Sequence, residues 1–347
     1  MNIRIGNREI GPNHPPFIIA ELSGNHNGSL EKALELVDIA HKAGADAIKL
    51  QTYTADTMTI DCDLPDFHIK GGLWDNHNLY QLYEWAHTPW EWHAALFKRA
   101  EELGLICFSS PFDESAVDFL ETLNPPAYKI ASFELLDLPL IAHVAKTGKP
   151  LIMSTGMANK QEIAEAYQCA KDNGAEQIVL LHCISGYPTP LEQANLHTIP
   201  LLINDFSALV GLSDHTLGTA AASTAIALGA CVIEKHITRA RAEGGPDAAF
   251  SLEPQELSQL VTSCHDAWSA LGSASYDKKA AELANTKFRR SIYVVKNIQQ
   301  GELFTQENIR RIRPGYGLAP KYYHQLIGQK AWQDFQRGEP LPPLPDK

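Results

Sequence analysis

Eight short apolar runs recur along residues 16–238, each followed by a stretch of helical character, and this alternation leaves the chain few architectures. The runs are PFIIAEL (16–22), AIKLQTY (47–53), ICFSSPF (106–112), AYKIASF (127–133), PLIMSTG (150–156), IVLLHCIS (178–185), ALVGLSDH (208–215) and CVIEKHIT (231–238). Between them, segments such as SLEKALELVDIAHKAG place apolar residues at helical spacing and end on a Gly suited to closing a helix. Strands that are apolar on both faces and alternate with helices imply a parallel sheet covered on both sides. Eight such units predict an α/β fold, a (β/α)8 TIM barrel, over residues 1–272. A doubly wound open sheet is the alternative. It would favour a dinucleotide-binding first turn, and AELSGNHNG is not G-x-G-x-x-G.

Residues 54–88, after the second run, far exceed the usual βα connection of about 2–6 residues. This long loop carries DFHIKGGLWDNHNLYQLYEWAH, rich in aromatics and histidine. Two readings stand: a lid over the strand ends, or a surface element that makes a dimer contact. Beyond the last barrel helix, residues 273–287 read as a linker. Residues 288–347 read as a compact, turn-rich domain near the lower size limit for independent folding.

Composition narrows the class. Apolar residues make up 44% and charged residues 20%, the balance of a globular protein. No apolar run has the length of a membrane span, and MNIRIGNREIGPNHPP lacks the apolar core of a signal peptide, so a cytoplasmic protein is expected. The six cysteines form no C-x-x-C pair; Cys107, Cys183 and Cys231 sit inside apolar runs as buried thiols. The net charge of −12 argues against a nucleic-acid partner. From Lys287 onward 11 Lys/Arg stand against 5 Asp/Glu, a local +6, so the −12 overall leaves −18 on residues 1–286. A basic tail on an acidic body suits a domain that docks on that body or on its twin in a dimer.

In a barrel the C-terminal strand ends converge on one site. This chain puts polar residues at nearly every one: Glu21, Lys49 and Gln51, Ser110, Lys129, Ser132 and Glu134, Ser154, Ser185 and Tyr187, Ser213 and His215, Glu234 and His236. Alternation along a strand gives Lys49 and Gln51 one face, Ser213 and His215 one face, and Glu234 and His236 one face. Ser132 and Glu134 share a parity that Lys129 lacks, so the chain must bend after Lys129 if all three face the site. His215 and His236, from the seventh and eighth strands, can bring two imidazoles together. One reading is a catalytic divalent metal with open positions; the other is two core histidines satisfied by backbone carbonyls. The aspartate before His215 and the glutamate near His236 offer orienting partners and favour the metal. Lys49 and Lys129 beside several serines suit a small phosphorylated, carboxylated anion. A lysine forming a Schiff base, Lys129 or Lys235, would make a different enzyme, an aldolase.

The motifs AELSGNHNGSL, AIKLQTYTADTMTID, FSSPFDESAVDFLE, YKIASFEL, STGMA, GLSDHTLG and EKHIT resemble the N-acetylneuraminate (sialic acid) synthase family. DFHIKGGLWDNHNLYQLYEWAHTPWEW and IASFE resemble its pseudaminic acid synthase branch. FRRSIYVVKNIQQGELFTQENIRRIRPGYGLAP resembles the antifreeze-like (SAF) domain that follows the barrel in this family. The resemblance implies condensation of phosphoenolpyruvate with an open-chain amino sugar and release of phosphate. For this branch the sugar is 2,4-diacetamido-2,4,6-trideoxy-β-L-altropyranose and the product pseudaminic acid; N-acetylneuraminate or legionaminate synthesis is the alternative. It implies a divalent metal, Mn²⁺, Co²⁺ or Mg²⁺, on His215 and His236, and catalytic roles for Glu21 and Glu134. It implies phosphoenolpyruvate contacts from Lys49, Ser110, Lys129, Ser132, Ser154 and Ser213. Gln51, Tyr187, Asp247 and Phe288 match positions around the sugar. Arg313 matches an arginine that the small domain inserts into the partner's barrel in a domain-swapped homodimer. Gly186, in CISGYP, stands where N-acetylneuraminate synthases commonly carry Asn, which is expected to free space for a bulkier sugar.

Overall fold

The computed structural model describes residues 2–75 and 77–345; Asn76, inside the long insertion, and Met1, Asp346 and Lys347 lie outside the described residues. A hairpin opens the chain, Ile3–Ile5 (β1) paired antiparallel with Arg8–Ile10 (β2). The eight apolar runs then become β3 (Phe17–Glu21), β4 (Ala47–Thr52), β5 (Ile106–Pro111), β6 (Tyr128–Ile130), β7 (Leu151–Ser154), β8 (Ile178–Cys183), β9 (Leu209–Asp214) and β10 (Val232–His236). These strands are parallel and close on themselves, β10 pairing with β3. The predicted barrel is the observed one.

Sequence dictates the local pieces. The helix Leu30–Ala43 starts where the Ser29 side chain accepts from the Lys32 N–H and stops at Gly44, whose φ of 87° closes the last turn. Its buried stripe is Ala33, Leu36, Val37 and Ala40, at helical spacing, packed on the outside of the barrel. Inside the barrel, Phe17, Ile19, Phe108, Ile152, Val179, Leu181 and Val232 form a second apolar cluster, which Ile3, Ile5 and Ile10 of the hairpin join. The hairpin therefore plugs the N-terminal end of the barrel. The other end is left for chemistry.

Residues 54–88 are not the bare loop their length suggests. They hold a helical turn Ala55–Met58, a 3₁₀ turn Pro65–Phe67 and a helix Leu79–Ala86, whose cap Asn78 accepts from the Gln81 N–H. The barrel helix of this unit, His93–Glu102, follows them.

The chain divides into two compact units, Met1–Gly272 and Ser273–Lys347. The second begins with an exposed stretch holding the short helix Ala280–Leu283, then pairs Ser291–Val294 (β11) antiparallel with Ile309–Ile312 (β12). Its own core gathers Ile292, Val294, Ile298, Phe304, Ile309 and Phe335. Among the described residues no helix is long and apolar enough to cross a membrane.

Candidate active site

Strand register assembles the site. Glu21 lies opposite Lys49 on β4 and opposite His236 on β10, while Ser213 lies between Cys183 and Glu234. Because neighbouring strands present same-parity residues to one side, these side chains meet inside the barrel mouth. Lys49 Nζ stands 2.5 Å from Glu21 Oε2 and donates to Ser110 Oγ at 3.2 Å. Glu234 Oε1 accepts from Lys129 Nζ at 3.4 Å and Ser213 Oγ at 3.1 Å, with Lys49 Nζ at 3.9 Å. Gln51 Nε2 donates to Glu21 Oε1 at 2.9 Å and to Ser23 Oγ at 3.4 Å, and Ser23 in turn donates to Asp247. The result is a buried floor of two ammonium groups and several carboxylates.

Burial works against the charges here, and the partners decide each case. Burial pulls Lys49 down, but the carboxylates of Glu21 and Glu234 outweigh it and hold the ammonium above its ordinary value. Lys129 ends below its ordinary value, burial outweighing Glu234. Burial lifts Glu21 to about 7 against the pull of Lys49, and lifts Glu134 to about 7 against its own backbone hydrogen bond and Lys129. Two carboxyl groups thus titrate near neutrality, where proton transfer is most useful.

The bend predicted after Lys129 is present. β6 stops at Ile130, and Ser132–Glu134 form a 3₁₀ turn rather than strand, so strand parity never governed Ser132 and Glu134. Gly156 is placed for this turn: its N–H donates to Ser132 Oγ at 3.1 Å, and an added Cβ would sit 2.7 Å from that oxygen. Ser154 Oγ, Glu134 Oε2, Glu234 Oε2 and His236 Nδ1 are buried without hydrogen-bond partners. Unpaired polar atoms in such a cluster are what a bound polar ligand would satisfy.

The two imidazoles face each other, ring centroids 5.3 Å apart. His215 Nδ1 donates to the Ile184 carbonyl at 3.1 Å and lies 3.7 Å from Cys183 Sγ; burial pulls the imidazolium down, but Cys183 and that carbonyl outweigh it and hold the group above its ordinary value. His236 is held neutral by burial and by its neighbour His215, with Asp247 Oδ2 at 3.8 Å from its unpartnered Nδ1. Among the described residues no group of three or more His, Cys, Asp or Glu is arranged around a metal position. His236, kept neutral with its Nδ1 orphaned, and His215 beside it nonetheless fit an ion whose other positions go to water and substrate.

The expected orienting carboxylates are a correction. Asp214 pairs with Lys235 at 2.6 Å and accepts from the Thr216 N–H at 2.8 Å, while Glu234 serves the lysines. The reason is alternation: Asp214 and Lys235 have the opposite parity to His215 and His236 and point away from the mouth. Backbone carbonyl and thiol orient His215 instead. Lys235 is thereby also removed as a Schiff-base candidate.

The mouth encloses a cavity of about 390 Å³ whose wall includes Lys49, Gln51, Lys129, Ser132, Glu134, Ser154, Tyr187, Ser213, His215, His236 and Asp247. Glu21 and Ser110 are not on that wall; they sit behind Lys49 and hold it. The insertion roofs the cavity with Met58, Ile69, Trp74, Leu79, Leu82 and Tyr83. Phe133 stands at the mouth, 62% exposed. Gly186 is not on the wall: a Cβ there would press on Thr189 Oγ1 at 3.3 Å, so it opens no space for a sugar directly. Phe288 and Arg313 belong to the second unit, Phe288 at the end of the 3₁₀ turn Thr286–Phe288 and Arg313 exposed just after β12. Sequence reasoning missed Ser23 and Tyr53 on the wall, and it cast Glu234 as a histidine partner although its parity with His236 marked it as facing inward.

Comparison with known proteins bears out the two-part fold. Residues 36–276 match the NeuB family and residues 289–343 the SAF domain. The chain is 47% identical to the pseudaminic acid synthase of Campylobacter jejuni subsp. jejuni serotype O:23/36, over 94% of this chain and 95% of that one. It is 43% identical to the pseudaminic acid synthase of Helicobacter pylori, over 94% and 96%. Among solved structures, the N-acetylneuraminic acid synthetase of Leptospira borgpetersenii superposes with a TM-score of 0.75 at 32% identity, covering 83% of this chain and 96% of that one.

Proposed function

Because this chain belongs to the NeuB family, we propose that it joins phosphoenolpyruvate to an open-chain amino sugar and water, releasing phosphate and a nine-carbon keto sugar acid. We further propose 2,4-diacetamido-2,4,6-trideoxy-β-L-altropyranose, in its aldehyde form, as the sugar and pseudaminic acid as the product. The observation that carries the reaction class is the floor itself, where Lys49, Lys129, three serines and two imidazoles line one cavity that also holds unpartnered buried polar atoms. Identity of 47% to a pseudaminic acid synthase, against 32% to an N-acetylneuraminic acid synthetase, supports the choice of sugar.

In this reading Lys49 and Lys129 act as point charges for the phosphate and carboxylate of phosphoenolpyruvate, and Ser132, Ser154 and Ser213 donate to their oxygens. Glu21 and Ser110 keep Lys49 in place. The enol carbon attacks the aldehyde carbon, and cationic character develops at the carbon bearing phosphate. Water adds there, and the tetrahedral intermediate breaks its C–O bond to release phosphate. Glu134, titrating near 7 with Oε2 free, takes the proton from that water or gives one to the new alcohol; Glu21 assists. A divalent ion on His215 and His236 would supply Lewis acidity toward the aldehyde oxygen. Gln51, Tyr187 and Asp247 orient the sugar chain. Phe288 and Arg313 act from the small domain of a partner subunit in a domain-swapped homodimer. Phosphoenolpyruvate is a cytoplasmic metabolite, which supports a cytoplasmic enzyme.

A Schiff-base aldolase remains the second reading because burial lowers the Lys129 ammonium. The test is phosphate release measured with each substrate alone and with both. Release that requires both supports the synthase; trapping of a pyruvate adduct on Lys129 by borohydride contradicts it.

A further inference from the structure

We infer that the insertion over residues 54–88 is the wall that selects the acceptor sugar, and that Trp74 is the positioning residue that seats it. The inference rests on the reading above and says how one acceptor is preferred. The cavity is two-sided. Its floor is lysine, glutamate, serine and histidine, whereas Met58, Ile69, Leu79 and Leu82 face it from the insertion with Trp74 and Tyr83. Among the described residues the insertion brings no charged side chain to this cavity. An acceptor that turns a C6 methyl and acetamido methyls toward such a roof buries them, and one that turns hydroxyls toward it leaves them without partners.

The roof is also tied down at a defined place. Trp74 Nε1 donates to the Pro246 carbonyl at 2.8 Å, one residue before Asp247. Its ring packs on Tyr187 at 5.5 Å, and Tyr187 packs on His215 at 4.6 Å. Gly24 completes the seat from below: an added Cβ would sit 2.6 Å from Pro246 Cγ and 2.7 Å from the Ala86 carbonyl, so only Gly lets insertion and Pro246 loop close together. The position of the apolar roof is therefore mechanically linked to two groups that face the sugar, Tyr187 and Asp247. Among the described residues no hydrogen bond joins the roof to Lys49 or Lys129, which are held by Glu21, Ser110 and Glu234 instead.

Two variants test this, each with the KM of both substrates measured separately and with N-acetylmannosamine as the second acceptor. Trp74→Phe keeps a ring on Tyr187 but strands the Pro246 carbonyl. It should raise the KM for the diacetamido trideoxy sugar about tenfold, the scale of one lost buried hydrogen bond, and leave kcat and the KM for phosphoenolpyruvate unchanged. Ile69→Thr keeps the β-branch, puts a hydroxyl on the roof in place of the ethyl group, and should lower the preference for the trideoxy sugar over N-acetylmannosamine by about tenfold. If both acceptors weaken equally, or the KM for phosphoenolpyruvate moves with that of the sugar, the selecting role is overturned. A wild-type enzyme that uses the trideoxy sugar, with a preference neither variant changes, overturns this inference alone. A wild-type enzyme that never condenses it overturns the proposed product as well.

Discussion

The floor and the roof of the cavity are built by different rules. The floor comes from strand ends, where alternation and parallel register leave little freedom over which side chains meet: Glu21 beside Lys49, Ser213 beside Glu234, His215 near His236. The roof comes from an insertion in which a helix cap at Asn78 and an indole at Trp74 fix the placement of apolar side chains. The difference teaches that a fold can hold its common chemistry on the barrel and leave the choice of substrate to an added element, the division proposed for this chain.

If that division is right, damage to the floor should destroy turnover and damage to the roof should only redirect it. The largest effect belongs to the imidazoles. His215→Ala or His236→Ala should lower kcat by about 10³-fold or more, the several kcal/mol that Lewis-acid assistance supplies. A chelator should do the same reversibly, restored by Mn²⁺, Co²⁺ or Mg²⁺. Steady-state rates before and after metal return are the check; activity that survives chelation and both substitutions would return the histidines to the core.

Next comes Glu134. Glu134→Gln should cost about 10²–10⁴-fold in kcat, the usual range for a lost general acid or base. The pH profile sharpens this, because the carboxyl is lifted from 4.5 to about 7 in the fold. A raised folded value means the folded state holds its proton longer than the unfolded chain does. The stabilisation is full below about 4.5, falls as pH rises, and is gone above about 7. The Gln variant should therefore lose less melting temperature than wild type between these two values, and the limb of kcat/KM near 7 should vanish. A wild-type limb that persists in the variant would assign it to Glu21.

The second unit enters next. Arg313→Ala subunits and His236→Ala subunits, each inactive alone, should regain part of the activity when mixed, since in the proposed domain-swapped dimer one site then carries neither lesion. Proven subunit exchange without recovered activity would place Arg313 outside the site. The smallest effects are those of Trp74→Phe and Ile69→Thr, confined to the sugar. A roof variant that abolished turnover, or a floor variant that merely changed acceptor preference, would break the division.

Much of the floor was legible in the sequence because a period of two is a strong constraint. Lys49, Gln51, Ser213, His215, Glu234 and His236 could be put on one side from their spacing alone. The same rule, applied one residue further, excludes Asp214 and Lys235 from that side, and their ion pair behind the strands follows from it. Ser132 and Glu134 could be brought to the same side only by supposing a bend after Lys129, because the chain leaves strand geometry after Ile130, where alternation carries no information. The N-terminal hairpin escaped for another reason: three-residue strands are too short to show a period, and only the open barrel end they fill explains Ile3, Ile5 and Ile10. The roof was legible as an excess of length and aromatics and as one of two readings, a lid, but its individual wall residues were not. Which of its side chains are covered depends on contacts with Pro246 and Tyr187, more than a hundred residues away.

The most direct measurement offers the enzyme both acceptors at equal concentration with limiting phosphoenolpyruvate, and separates the products by mass while phosphate is counted. The account predicts one phosphate per condensed sugar and a product pool dominated by pseudaminic acid, since the hydroxyls of N-acetylmannosamine left unpaired under the roof cost about 1–3 kcal/mol each. A pool dominated by N-acetylneuraminate would contradict it, and would show that the apolar roof does not choose the sugar.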